Sequence, residues 1–167
     1  MLFLMRASLV IVFLFSCLLS AEVIRNQPGG YAFVFPQGWS SDPSQKNFTV
    51  VGPNRAELSE MPLPQPGTQS LDVATKTVTA AWVAVGGKST GQAFDLSGEK
   101  WKGRAVVLEL PSQRDSAKSQ TLVIFVAKSG KQFRQFSLSV PNDEWKNSSQ
   151  QYLAILHSMR FPASGRP

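Results

Sequence analysis

Residues 130–145 read Gly130-Lys-Gln-Phe-Arg-Gln-Phe-Ser-Leu-Ser-Val-Pro-Asn-Asp-Glu-Trp145, and the stretch changes its period partway. As far as Val140, large apolar residues recur among polar ones in the manner of a strand with one face on a core. Phe133, Phe136 and Leu138 do not alternate strictly, and a bulge near Gln135 would reconcile them. Pro141 has no N–H to offer a ladder and ends the strand. From Asp143 to about Met159 the spacing is helical, with Trp145, Tyr152, Leu153, Leu156 and Met159 on one inner face. A strand that needs neighbours runs directly into a helix that needs a sheet to cover, which argues an α+β fold.

Working backward, Ser129-Gly130 marks a tight turn to a strand over Thr121–Ala127, and Ser97-Gly98-Glu99-Lys100 marks another between Lys88–Leu96 and Trp101–Leu110. Glycine and polar residues at these points favour hairpins. Pro111 to Ser119 is a longer polar loop. Upstream, Leu71, Ala74, Val78, Ala81, Trp82 and Val85 fall at helical spacing, with Ser70 as N-cap, Asp72 at the positive helix end and Gly86-Gly87 as the stop. Pro62, Pro64 and Pro66 precede it as an extended connection. Phe48–Val51 and Ala56–Met61 read as short strands about the turn Gly52-Pro53-Asn54. Tyr31-Ala-Phe-Val-Phe35 turns three rings to one side, and Pro36 and Gly38 stop it. The sum is one domain over 31–161, a central twisted antiparallel sheet of six to seven strands flanked by helices. Residues 22–30, with the breaker Pro28-Gly29-Gly30, read as a linker, and 162–167 as a disordered tail.

The N-terminus points to export. Arg6 supplies a positive charge, Ala7–Leu19 is almost unbroken apolar sequence, and Ser20-Ala21 are small, the pattern of a signal peptide over 1–21. The apolar run is at the short limit for spanning a bilayer. The single cysteine, Cys17, follows Leu14-Phe15-Ser16 and resembles a bacterial lipobox with Phe15 out of pattern. An uncleaved signal or a lipidated Cys17 would tie the chain to a membrane; cleavage after Ala21 would leave it without cysteine and so without disulfides.

Tyr31-Ala-Phe-Val-Phe-Pro-Gln-Gly-Trp39 resembles the opening of the PsbP-like and DcrB-like exported proteins, an aromatic strand followed by Pro-x-Gly-Trp. Gly130–Trp145 is similar to that family's last strand and C-terminal helix, and Ser158-Met-Arg-Phe161 to its closing element. The resemblance spans most of 31–161 and implies an α/β/α sandwich with a binding or assembly role: extrinsic photosystem II subunits, envelope lipoproteins and small adaptors belong to it. It leaves the function open, because function lives in sites placed on a fold. Trp39 and Trp145, at matched positions, read as structural anchors, since large aromatics dominate core burial.

The chemistry of catalysis is thin. A zinc site needs three or four ligands, and the chain has one histidine and one cysteine. His157 falls beside Leu156 on the last helix, with no Gly-x-Ser-x-Gly elbow to serve. Asp95, Glu99 and Glu109 sit on strands or turns where solvation is the ordinary fate of carboxylates. No glycine loop has phosphate-binding spacing. Neither a metal, a cofactor nor a catalytic residue is therefore expected. The formal charge is +6, spread singly and without the basic runs or aromatic stripe of nucleic-acid binders. Such a surface favours anionic partners. Lys100, Lys102 and Arg104 alternate, so period two places them on one strand face as candidate contacts for a protein partner in the cell envelope, the thylakoid lumen or at a membrane surface. The competing reading is a small-ligand carrier or hydrolase with a pocket between sheet and helix.

Overall fold

The structure is a computed structural model that describes residues 21–63, 70–111 and 119–161. The expected signal segment up to Ser20, Cys17, Pro64 and Pro66, most of the loop after Pro111 and the tail from Pro162 lie outside these residues.

Among the described residues nine strands and two α-helices follow in order, with a 3-10 turn at Pro53–Arg55 between the fourth and fifth strands: β1 (Glu22–Asn26), β2 (Tyr31–Phe35), β3 (Ser40–Ser41), β4 (Thr49–Val51), β5 (Glu57–Met61), α1 (Leu71–Ala84), β6 (Lys88–Gly98), β7 (Trp101–Leu110), β8 (Gln120–Ser129), β9 (Gln132–Pro141) and α2 (Asn142–His157). Seven strands form one antiparallel sheet in the order β3-β4-β5-β9-β8-β7-β6. The expected sheet with helices on both faces is what forms. The hairpins at Glu99-Lys100 and Gly130-Lys131 stand where turn chemistry put them, and Gly130 takes a positive φ of 58°.

Each face of the sheet has its own core. On one, α1 lays Ala74 and Val78 over Leu108, Leu122, Ile124 and Val126. On the other, α2 and the β1–β2 hairpin bury Phe33, Phe35, Phe125, Phe136, Leu138 and Trp145. Phe33 is the hub of the second core: fully buried, it meets Tyr31, Phe35, Phe48 and Phe136 at ring-centroid distances of 5.1 to 6.3 Å. Such edge-on, tilted and stacked pairs add to the area they bury.

Four expectations change. Residues 22–30 are no linker: β1 pairs with β2 over its whole length, Ile24 opposite Phe33, and Ile24 is buried. Five residues gave too little alternation to announce a strand whose stability comes from its partner's rings. The aromatic strand itself stands outside the main sheet, in a two-stranded hairpin laid across it. No bulge interrupts β9 near Gln135, where the register with β5 and β8 is continuous. Phe133 simply faces the α1 side while Phe136 and Leu138 face the other, because both faces are covered and neither need be polar. The irregularity lies in β6, between Ser89 and Ala93, around Gly91 at φ 77°. Finally, Ala81 and Val85, expected inward, are exposed, Val85 to 74%, while Thr75 is buried. Val85 is the C-cap residue, beyond the last turn of α1.

Candidate binding surface

The hairpin β6–β7 delivers the expected basic residues to one end of the sheet, though not as one patch. Lys102 and Arg104 share the α1 face of β7, and Lys100 stands in the turn before it. Arg104 is spoken for: its guanidinium lies 3.8 Å from Asp72 on α1 and 3.7 Å from Asp95 on β6. Asp72 also holds Lys76 at 2.8 Å one turn on. The hydrogen bond from Lys76, with the charges of Lys76 and Arg104, keeps the Asp72 carboxyl below the usual range. Arg104 thus belongs to the seam between helix and sheet.

Its place beside Lys102 is taken by Lys128. The β7–β8 register sets Lys102 directly opposite Lys128, and residues so paired have Cβ atoms about 5 Å apart. Lys128 leans over the Phe133 ring, 5.0 Å from its centroid, which holds the chain in place without cancelling its charge. Among the described residues neither Lys102 nor Lys128 has a carboxylate partner. Lys100, Lys102, Lys128, Trp101 and the start of α1 at Ser70-Leu71 line an open groove of about 430 Å³, with Glu99 as its one carboxylate among the described residues against three lysines. The α1 N-terminus adds partial positive charge to it. Sequence reasoning missed Lys128 because the long loop after Pro111 leaves the β7–β8 register open.

Trp101 closes the groove from below. Its indole Nε1 donates to the Met159 carbonyl at 2.7 Å, and it is 4% exposed. Beyond it His157, exposed on α2, meets the Trp101 ring edge-on at 6.4 Å. His157 borders a second open groove, between α2 and the edge strand β6. Asp95, Glu99 and Glu109 are exposed, and Glu109 accepts from Asn142 Nδ2 at 3.3 Å. Among the described residues no three His, Cys, Asp or Glu side chains gather where they could hold a metal ion, and no helix is long and apolar enough to cross a membrane.

The two tryptophans matched to the family pattern are buried. Trp39, 5% exposed, meets Phe35 at 5.0 Å and Tyr152 at 6.3 Å; Trp145, 7% exposed, stacks on the same Tyr152 at 6.3 Å. Tyr152 so ties the β1–β2 hairpin to both halves of α2, which bends at Ser148. A second tie is polar. Glu60 on β5 accepts from the Tyr31 hydroxyl at 2.8 Å and from Arg134 Nη1 at 2.9 Å, while Arg134 Nη2 donates to the Gly29 carbonyl at 2.9 Å. Burial, reinforced by Glu60, pushes the Tyr31 phenol far above its ordinary range, so the hydroxyl remains a donor.

No family model and no curated protein matches the chain. Solved structures do. The solution structure of cyanobacterial PsbP from Synechocystis sp. PCC 6803 matches with TM-score 0.58 at 12% identity, covering 85% of this chain and 92% of that one. The Ran-binding protein Mog1p of Saccharomyces cerevisiae matches with TM-score 0.55 at 10% identity, over 85% of this chain and 95% of that one. A protein of Bacteroides thetaiotaomicron matches with TM-score 0.59 at 10% identity, over 89% of this chain and 51% of that one. At such identities it is the fold that is shared: this chain has the fold of PsbP and Mog1.

Proposed function

We propose that this chain is an exported, non-enzymatic binding protein that uses the groove at Lys100, Lys102 and Lys128 to take hold of an acidic protein partner in the cell envelope or thylakoid lumen. The observation that carries the reading is the opposition of Lys102 and Lys128. Like charges directly across a strand pair cost stability. A carboxylate supplied by a partner would relieve that repulsion and gain charge-assisted hydrogen bonds. The fold is compatible, since the Mog1p structure is that of a Ran-binding protein and PsbP shares the scaffold. The single histidine stands exposed on a helix, and among the described residues no base–nucleophile pair is built around it, which favours binding over turnover.

Two measurements bear on the proposal. Export predicts that the native protein begins near Glu22, which mass spectrometry of its N-terminus reads directly; an intact Met1 would contradict it, and a lipidated Cys17 would instead mean anchoring. Binding predicts that the double reversal Lys102→Glu, Lys128→Glu weakens the partner at least tenfold, and that wild-type affinity falls as salt rises from about 50 to 500 mM. The partner is first fixed by cross-linking from Lys102 in native extract and then titrated as a purified protein. Affinity indifferent to both the reversal and salt would remove the groove from the interface.

A further inference from the structure

The strand β6 is the last in the sheet on its side, and among the described residues nothing pairs with its outer edge. Natural sheets guard such edges with bulges, prolines, lysines or inward charges. The first half of β6 is guarded: its register breaks between Ser89 and Ala93, and Gly91 takes a positive φ. The second half is not. Ala93 to Gly98 run in unbroken register with β7, contain no proline, and carry one charge, Asp95, which is turned to the α1 face beside Arg104. Six residues of regular edge are as much as an added strand needs.

The other face of the same six residues is apolar. Phe94 and Leu96 are half-buried against the core, and with the exposed edge residues Ala93 and Asp95 they line one side of an open groove of about 530 Å³. Gln150, Leu153, Ala154 and His157 of α2 form the other wall. A strand laid along β6 would send alternate side chains into this groove, since successive residues point to opposite faces. At its far end the edge reaches Gly98, and the next residues are Glu99 and Lys100, with Lys102 opposite Ser97. The basic groove is therefore continuous with the edge.

We propose that the partner is held as an added strand: an extended segment pairs with Ala93–Gly98, places apolar side chains at alternate positions in the groove between β6 and α2, and carries carboxylates at the end that meets Lys100 and Lys102. Main-chain hydrogen bonds supply affinity in this mode and the alternate pockets supply specificity. Charge complementarity at one end fixes which way the segment lies. The inference rests on the acidic-partner reading above and specifies the shape of what is bound.

The test pans the full-length chain against a phage-displayed library of random peptides, then titrates the selected peptides in solution. Selected sequences are expected to alternate apolar residues and to end in Asp or Glu. Bound peptide should slow hydrogen exchange of the amides in Ala93–Gly98 and leave those of β1 unchanged. Ala154→Lys places a charge in the groove from an exposed helix position, and Leu96→Lys does so from the strand; each should weaken binding at least tenfold, with Ala154→Lys decisive if Leu96→Lys unfolds. Peptides without alternation, no selected peptides, or binding without protection in β6 would overturn the proposal. The two readings separate cleanly. Weakening by Lys102→Glu, Lys128→Glu but not by Ala154→Lys leaves the acidic partner and sinks the strand; the converse sinks the basic groove.

Discussion

Trp39→Ala is expected to lower the free energy of unfolding by about 3–5 kcal/mol, the usual cost of truncating a buried tryptophan. The ring is 5% exposed and lies between Phe35 and Tyr152. It also lies flat against the backbone at Gly52, where an added Cβ would come within 2.4 Å of the indole. Glycine there is a matter of room, because the φ of −104° at Gly52 is open to any residue. Deleting the ring therefore leaves a space bounded by backbone on one side and by two aromatic rings on the other, none of which can collapse far. Against a typical total of about 5–15 kcal/mol this is a large share. Urea unfolding followed by circular dichroism measures it. A loss under about 1 kcal/mol would mean that the hairpin does not depend on this corner of the core.

Glu60→Ala is expected to cost about 2–4 kcal/mol. Removing the carboxylate takes the acceptor from three donors at once, the Tyr31 hydroxyl, the Arg134 guanidinium and, at 3.4 Å, Asn26 Nδ2. Each stranded donor costs about 1–3 kcal/mol, and a charged one more. Breaking a fully buried ion pair from one side would cost about 3–5 kcal/mol by itself. The figure here is lower because the Glu60 and Arg134 side chains keep 20% and 29% of their exposure, so water can replace part of what is lost. Glu60→Gln retains an acceptor and should fall well short of the alanine loss. Chemical denaturation of the two variants side by side gives the comparison. Equal losses would show that charge matters and the hydrogen bonds do not. The damage should be local first, with hydrogen exchange speeding in β1 and β2, since Glu60 joins that hairpin to β5.

The surface proposed for binding was half legible in the residues. Lys100, Lys102 and Arg104 stand out by alternation, and period two correctly puts Lys102 and Arg104 on one face. What alternation cannot show is who sits across the strand. Asp72 and Asp95 neutralise Arg104 from another helix and another strand, while Lys128 arrives opposite Lys102 from beyond a long loop. Both facts depend on register, and register is set by which apolar faces meet. The same limit hid β1: Glu22-Val-Ile-Arg-Asn26 is an unremarkable pentapeptide until Ile24 is laid on Phe33.

What the chain settled by itself is everything decided within a few residues. Proline and glycine stop β2 and open the hairpins, Ser70 caps α1 with its hydroxyl on the Val73 amide, and the switch from period two to helical spacing at Pro141 places α2. These rest on steric limits and backbone donors that a residue carries wherever it stands. The tertiary structure decided the rest: that the aromatic strand leaves the main sheet, that Phe133 faces α1 instead of forming a bulge, and that two lysines meet across β7 and β8. Such outcomes follow from burying area between segments far apart in sequence, a non-directional force that takes whichever packing fills both faces of the sheet.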